Sequence, residues 1–213
     1  MRWGSRLTAP SPPMIDWITS LLFPEKCINC GLWGKYVCQK CQVGMWEAEP
    51  LRALDGMTCL WSYEGLVQKL IKRAKYKRQY DLLKFLISNF KFQIKPEFSG
   101  FVVVPVPLHK NRLRERGFNQ SMVIAEVVAR SWMLDLREIL IRVKDTGHQV
   151  GRNRQERLAA LKDAFAISPK IQDLPSKILL VDDVWTTGTT MRECYKVLKK
   201  AGVKKVYGFV LAR

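Results

Sequence analysis

The segment Lys177-Ile178-Leu179-Leu180-Val181-Asp182-Asp183-Val184-Trp185-Thr186-Thr187-Gly188-Thr189-Thr190 limits what this chain can fold into more than any other. Ile178 to Val181 is a short apolar run of the kind a parallel sheet buries on both faces. It stops at two adjacent carboxylates, passes hydroxyls around a glycine, and enters a helical pattern. In open α/β sheets ligands sit at the carboxyl ends of strands. Paired acids there must face solvent, a cation or a ligand's hydroxyls, because burying them alone is costly. Thr186 to Thr190 offers backbone N–H groups and hydroxyls at a helix N-terminus, which is a phosphate cradle. Acids beside such a cradle point to a sugar phosphate. Each half alone is equally well a capping turn. Strand, acid pair and Thr-Thr-Gly-x-Thr in direct succession are more specific than either half.

A chain of 213 residues with 47% hydrophobic content fits one α/β domain plus a small module. Its apolar runs are short, and Phe101 to Leu108 is interrupted by Pro105 and Pro107. The expectation is a cytoplasmic protein with no signal peptide and no membrane insertion. Lys+Arg 36 against Asp+Glu 19 gives +17. That excess favours polyanionic partners: nucleic acid, phosphorylated metabolites or anionic lipid.

Residues 1–20 read as a lead-in, and Ile15, Ile18, Leu21 and Leu22 recur at helical spacing across its end. Cys27, Cys30, Cys38 and Cys41 form two Cys-x-x-Cys pairs. Two such knuckles bring four thiolates onto one tetrahedral ion, as in a zinc ribbon. A dithiol redox site would need one pair only, and structural disulfides do not suit a reducing compartment. Four cysteines leave no open coordination position, so the zinc is expected to be structural. Gly31 is placed to supply a positive φ under the first pair. The module is expected over 21–58, with the α/β domain over 59–213. Cys194 reads as a small buried hydrophobe.

Cys59 to Tyr63 reads as a strand broken by Glu64-Gly65, and Leu66, Val67, Leu70 and Ile71 mark a helical stripe. The helix carries Lys69, Lys72, Arg73, Lys75 and Lys77, with Tyr76 and Tyr80 interspersed. It is either a solvated face or a contact surface for a phosphate backbone, with Lys72, Arg73 and Lys75 as the contacts. Leu82, Leu83, Leu86 and Ile87 continue into a second helix.

Phe101 to Val104 is another buried-strand run, ended by Pro105 and Pro107 and followed by His109, Lys110, Arg112, Arg114 and Arg116. His109 reads as a turn residue or phosphate hydrogen-bonder. Asn119 is a reasonable N-cap for the helix carrying Ile124, Ala125, Val128 and Ala129. Ile139 to Val143 reads as a strand, and residues 141–160, with two glycines and many polar groups, as a lid. Met191, Cys194, Tyr195 and Leu198 mark a helix ended by Ala201-Gly202, and Val206 to Leu211 a last strand.

The blocks Pro105-Val106-Pro107-Leu108 and Arg116-Gly117-Phe118-Asn119-Gln120, with Arg112 between them, resemble the signature of the ComF family, a branch of the type I phosphoribosyltransferase-like proteins. Members carry an N-terminal four-cysteine zinc module, a Tyr-x-Gly segment, here Tyr63-Glu64-Gly65, and an acid-pair loop like Asp182 to Thr190. The resemblance covers nearly the whole chain from about Leu21, and nothing at fold level dictates the Arg-Gly-Phe-Asn-Gln block. It implies a parallel sheet flanked by helices that binds phosphoribosyl pyrophosphate (PRPP) with magnesium. Asp182 and Asp183 would orient the ribose hydroxyls, and Thr186, Thr187, Gly188, Thr189 and Thr190 would hold the 5′-phosphate. Arg112 and Arg116 would meet pyrophosphate, with a closing arginine among Arg152, Arg154 and Arg157. Thr146 and Gln149 fit the family lid; an asparagine that many relatives place before the Ala-Phe pair is absent at Ala160-Leu161. The resemblance further implies DNA uptake in natural transformation, with single-stranded DNA and competence-machinery proteins as partners. Three functions stay open at this level: PRPP turnover, a non-catalytic PRPP sensor or scaffold, and a zinc-module nucleic-acid binder.

Overall fold

The computed structural model describes residues 26–45, 48, 52–77, 79–88, 98–145 and 161–213. The lead-in, its helical spacing and the lid residues Thr146, Gln149, Arg152, Arg154 and Arg157 lie outside them. The chain divides into two compact units, Met1–Gly44 and Met45–Arg213. Residues 45–58, grouped above with the cysteine module, therefore belong to the larger unit. Ala48 and Ala53 pack against its core, and the Ala48 N–H donates to the Leu60 carbonyl at 2.9 Å.

In the smaller unit the backbone turns at Gly31 with φ +77, the left-handed region that favours glycine. The Gly31 N–H donates to the Cys27 carbonyl at 2.8 Å, and Lys26 and Trp33 form an antiparallel bridge. A single turn of helix, α1 (Gln39–Gln42), follows Cys38.

The larger unit is built on five parallel strands in the order β1-β7-β6-β2-β3. They are β1 (Met57–Trp61), β2 (Val102–Pro105), β3 (Asp135–Leu136), β6 (Lys177–Val184) and β7 (Lys205–Ala212). Each expected strand is present with shifted ends. β6 runs on through both acids to Val184 because β7 keeps pairing with it, Asp182 opposite Val210 and Val184 opposite Ala212. β2 includes Pro105, whose missing N–H falls at the strand end.

Helices cover both faces. Ile178, Leu180 and Val210 pack with Met191, Cys194 and Leu198 of α6 (Thr189–Lys200). Cys194 is a buried member of that core, as expected. Toward the other face lie α2 (Gly65–Lys77), α3 (Asp81–Ser88) and α5 (Gln120–Trp132); Trp132 stands edge-on to Phe209 at 5.8 Å and stacks on Phe98 at 4.9 Å. α4 (Lys110–Arg116) is the short basic helix after β2. The strand expected at Ile139–Val143 is β4 (Leu140–Arg142), and it stays out of the main sheet. It pairs antiparallel with β5 (Phe165–Ile167), Arg142 opposite Phe165.

From β2 the chain leaves toward β3 on one side, whereas β6 and β7 extend the sheet on the other. β2 and β6 are therefore neighbours from which the chain departs in opposite directions, and their carboxyl ends form a crevice. That is the switch point at which α/β sheets bind ligands.

Candidate functional site

The crevice is an open cleft of about 210 Å³, walled by Val106, Pro107 and Leu108 after β2 and by Asp182, Asp183, Thr186 and Thr190 at the end of β6. Alternation along β6 sends the two acids to opposite sides. Asp182 Oδ1 accepts from Ser121 Oγ at 2.8 Å and from the Asp183 N–H at 2.8 Å. Asp183, buried, is 2.8 Å from Lys75 Nζ. Burial, with the like charge of Asp183, raises the Asp182 carboxyl to about 7.

The turn beyond β6 is shaped by an indole. Gly188 has φ +71, and a Cβ there would sit 2.2 Å from the ring of buried Trp185. Only glycine lets the chain pass over that ring and start α6. Thr187 Oγ1 and Thr189 Oγ1 lie 2.8 Å apart, and Arg192 Nη1 donates to the Thr187 carbonyl at 3.2 Å. Thr186 and Thr190 line the cleft, while Gly188 and Thr189 are buried behind it.

Cations share the cleft with the acids. Arg112 and Arg116 line the cleft from α4, where the sequence reading put them, and Lys75 and Arg142 join them. Burial and the neighbouring Arg116 lower the pKa of Arg112; burial and Arg112 do the same to Arg142. Desolvated cations that repel one another gain from an anion among them.

The Arg116-to-Gln120 block does have a fold-level explanation, contrary to the sequence reading. Arg116 Nη1 donates to Gln120 Oε1 at 2.9 Å, Gly117 ends α4 with φ +80, and Phe118 meets Tyr80 edge-on at 6.0 Å. Asn119 caps α5 as expected, accepting from the Ser121 N–H at 3.1 Å, and its Nδ2 donates to the Val106 carbonyl at 3.0 Å. The block fastens the β2 loop to the start of α5, and so delivers Ser121 to Asp182.

Lys75 requires a correction. It was grouped with Lys72 and Arg73 as a nucleic-acid contact, but it turns inward to Asp183. Lys72 is exposed and bonded to Gln68 Oε1 at 2.9 Å, and Arg73, half-buried, bonds Gln79 Oε1 at 2.7 Å. The available signal was spacing: Lys75 follows Ile71 by four residues and adjoins buried Ala74, at the edge of the apolar stripe. Tyr63, Ser121 and Arg142 also line the cleft without having been picked out as site residues. His109, whose sequence neighbours are cations, caps α4 by accepting from the Asn111 N–H at 3.3 Å and faces Asp145 at 3.4 Å.

In the smaller unit the four cysteine sulfurs lie within 4.8 Å of one another. Cys30 Sγ and Cys38 Sγ are 3.6 Å apart, close to the ~3.8 Å edge of a tetrahedron of zinc–thiolate bonds and far beyond a disulfide length. Against the upward push of burial, the N–H groups of Cys30, Cys38 and Asn29 bring the Cys27 thiol down to about 6. The donor set fits a metal ion.

The chain is thus an α/β protein with an acid pair and a cationic wall at a parallel-sheet switch point, together with a separate four-cysteine metal-type unit. No family model matches it. It is 33% identical over 200 residues to Competence protein F of Haemophilus influenzae, spanning 88% of this chain and 84% of that one. To Competence protein ComFC of Streptococcus pneumoniae it is 31% identical over 192 residues, spanning 89% and 81%. To DNA utilization protein YhgH of Escherichia coli K12 it is 33% identical over 195 residues, spanning 88% and 83%. The chain belongs to the ComF/ComFC family of competence proteins. Among the described residues, no helix is long and apolar enough to cross a membrane.

Proposed function

We propose that the cleft binds PRPP and that the protein works on single-stranded DNA taken up in natural transformation, on the cytoplasmic side. The observation that carries the ligand is that Asp182 and Asp183 share one cleft with Arg112, Arg116 and Arg142 beside the Thr186–Thr190 turn. Carboxylates accept from ribose hydroxyls, the turn holds the 5′-phosphate, and the arginines take the pyrophosphate. The fold is then of the type I phosphoribosyltransferase kind. Magnesium carried on the ligand's phosphates would neutralise charge on the leaving pyrophosphate. In transfer, the bond from the anomeric carbon to pyrophosphate oxygen breaks with its electron pair on the oxygen. The acceptor's lone pair forms the new bond, and its proton passes to solvent. The protein contributes position and charge.

The DNA part rests on family membership and on the names of relatives, a competence protein and a DNA utilization protein. Lys72 and Arg73 are proposed as contacts, and the cysteine unit as a structural zinc module. The test titrates PRPP with magnesium into wild type and the Asp182→Asn/Asp183→Asn double variant, and then assays pyrophosphate release with nucleobases or single-stranded DNA. Binding by wild type alone supports the reading. Release identifies a transferase, and binding without release under any acceptor identifies a sensor. A wild type that binds no PRPP sinks the proposal.

A further inference from the structure

The acid pair has an internal counter-ion. Lys75 Nζ lies 2.8 Å from Asp183 Oδ2, and the two side chains are only 17% and 11% exposed. An ion pair this covered cannot be treated as a surface pair, whose partners water screens; each charge depends on the other. Lysine suits the position, being a compact charge on a flexible stem that α2 can extend into the cleft. The charges lining the cleft are Lys75, Arg112, Arg116 and Arg142 against Asp182 and Asp183, which gives 4 − 2 = +2. A bare divalent cation is repelled by such a wall, and an anion is drawn to it.

We propose that Lys75 supplies, from within the chain, the positive charge that this acid pair would otherwise need from a divalent cation. Asp183 keeps its ammonium partner when a phosphorylated sugar enters, and Asp182, steadied by Ser121, receives the ligand's hydroxyls. Ligand binding consequently does not require a divalent cation, and any cation that accompanies the ligand arrives on its phosphates. Lys75 thereby becomes a residue of the binding site. This inference rests on the sugar-phosphate reading of the cleft and specifies how that site is charged.

The test is calorimetric titration of ribose 5-phosphate and of PRPP, each in chelator and in magnesium, into wild type, Lys75→Met, Lys75→Arg and the double variant Lys75→Met/Asp183→Asn. Wild-type affinity for ribose 5-phosphate should change less than about threefold on removing magnesium. Lys75→Met should lose at least about tenfold in chelator and regain most of it with magnesium, because the unpaired Asp183 then needs another cation. Lys75→Arg should stay within about fivefold of wild type, and the double variant, in which the acid is gone, should bind equally in chelator and in magnesium, with no rescue by the cation. The last two keep the test decisive if Lys75→Met alone fails to fold. Wild-type binding that collapses in chelator, or wild-type affinity in Lys75→Met without magnesium, overturns the role of Lys75 and leaves the sugar-phosphate reading standing. A wild type that binds neither ligand under either condition overturns both.

Discussion

Ser121 Oγ donates to Asp182 Oδ1 at 2.8 Å, joining residues 61 positions apart at the start of α5 and the end of β6. The bond fixes which oxygen of Asp182 is free for a ligand. It depends on Asn119, which caps α5 and also grips the loop after β2 through Val106. Replacing Ser121 with alanine leaves Asp182 with the Asp183 N–H as its remaining named donor. A hydrogen bond to a charged group is worth about 1.5–3 kcal/mol, so Ser121→Ala should weaken PRPP binding roughly tenfold or more. Titration calorimetry checks this, and an unchanged affinity would remove Asp182 from the ligand-binding set.

Asp182 also predicts a pH dependence. Its folded-state pKa is raised to about 7 by burial and by Asp183, whereas an unfolded aspartate titrates near ~3.9. Between those values the native state holds more protons than the unfolded one, so this group makes stability fall as pH rises from about 4 to about 7. Asp182→Asn keeps an oxygen for Ser121 and removes the charge. Its melting temperature should exceed that of wild type by a few degrees above pH 7 and converge with it toward pH 4. Ligand affinity should run the other way in wild type, rising through pH 7 as the carboxylate forms. A melting-temperature difference independent of pH would show that Asp182 does not titrate there.

Gly188 passes over the Trp185 ring in a conformation closed to most residues, with φ +71 and no room for a Cβ. Gly188→Ala must displace either the indole or the backbone, at a cost of at least about 1–3 kcal/mol. PRPP affinity should drop more than stability accounts for, because Thr186 and Thr190 move with the turn. Parallel melting and titration of the variant decide this. Wild-type affinity in a folded Gly188→Ala protein would mean that the turn does not hold the phosphate.

The acid pair, the threonine turn, the arginines of α4 and the four cysteines were all legible because each is contiguous in sequence or repeats at a spacing with a chemical meaning. Other features depend on tertiary placement. Lys75 sits among look-alike cations on α2, and only the packing of that helix turns it inward to Asp183. Arg142 reaches the cleft because β4 leaves the main sheet to pair with β5, and a three-residue strand carries no signal of which sheet it joins. The extent of β6 was missed for a similar reason: carboxylates normally end an apolar run, but β7 keeps pairing past them. The roles of Arg116 to Gln120 looked like ligand chemistry alone because capping and loop-fastening involve partners such as Val106, distant in sequence.

The nucleic-acid surface, reduced to Lys72 and Arg73, makes a salt-dependent prediction. Both side chains bond neutral glutamines, Gln68 and Gln79, and neither forms an ion pair among the described residues. If they meet phosphates, log K for single-stranded DNA should fall linearly with log salt, and Lys72→Glu/Arg73→Glu should flatten the slope by about 1.4. Fluorescence anisotropy across a salt series measures it. A slope identical to wild type would exclude this helix face.

The cysteine unit predicts a separable response to metal removal. Only 19 of its residues, 26–44, are described, and Leu32, Trp33 and Val43 are exposed at 60%, 59% and 80%. With so little apolar burial among these described residues, the cysteine knuckles rely on metal–thiolate bonds for their fold. The larger unit has its own core around β6 and β7. Purified protein should therefore carry one zinc per chain, released as four thiols become reactive. Chelation should change the Trp33 environment while leaving the main far-ultraviolet melting transition nearly in place. Cys30→Ser should lower zinc affinity by at least about tenfold without abolishing that transition. Metal-free protein with four unreactive thiols and an unchanged tryptophan signal would show that the sulfurs converge for a reason other than metal.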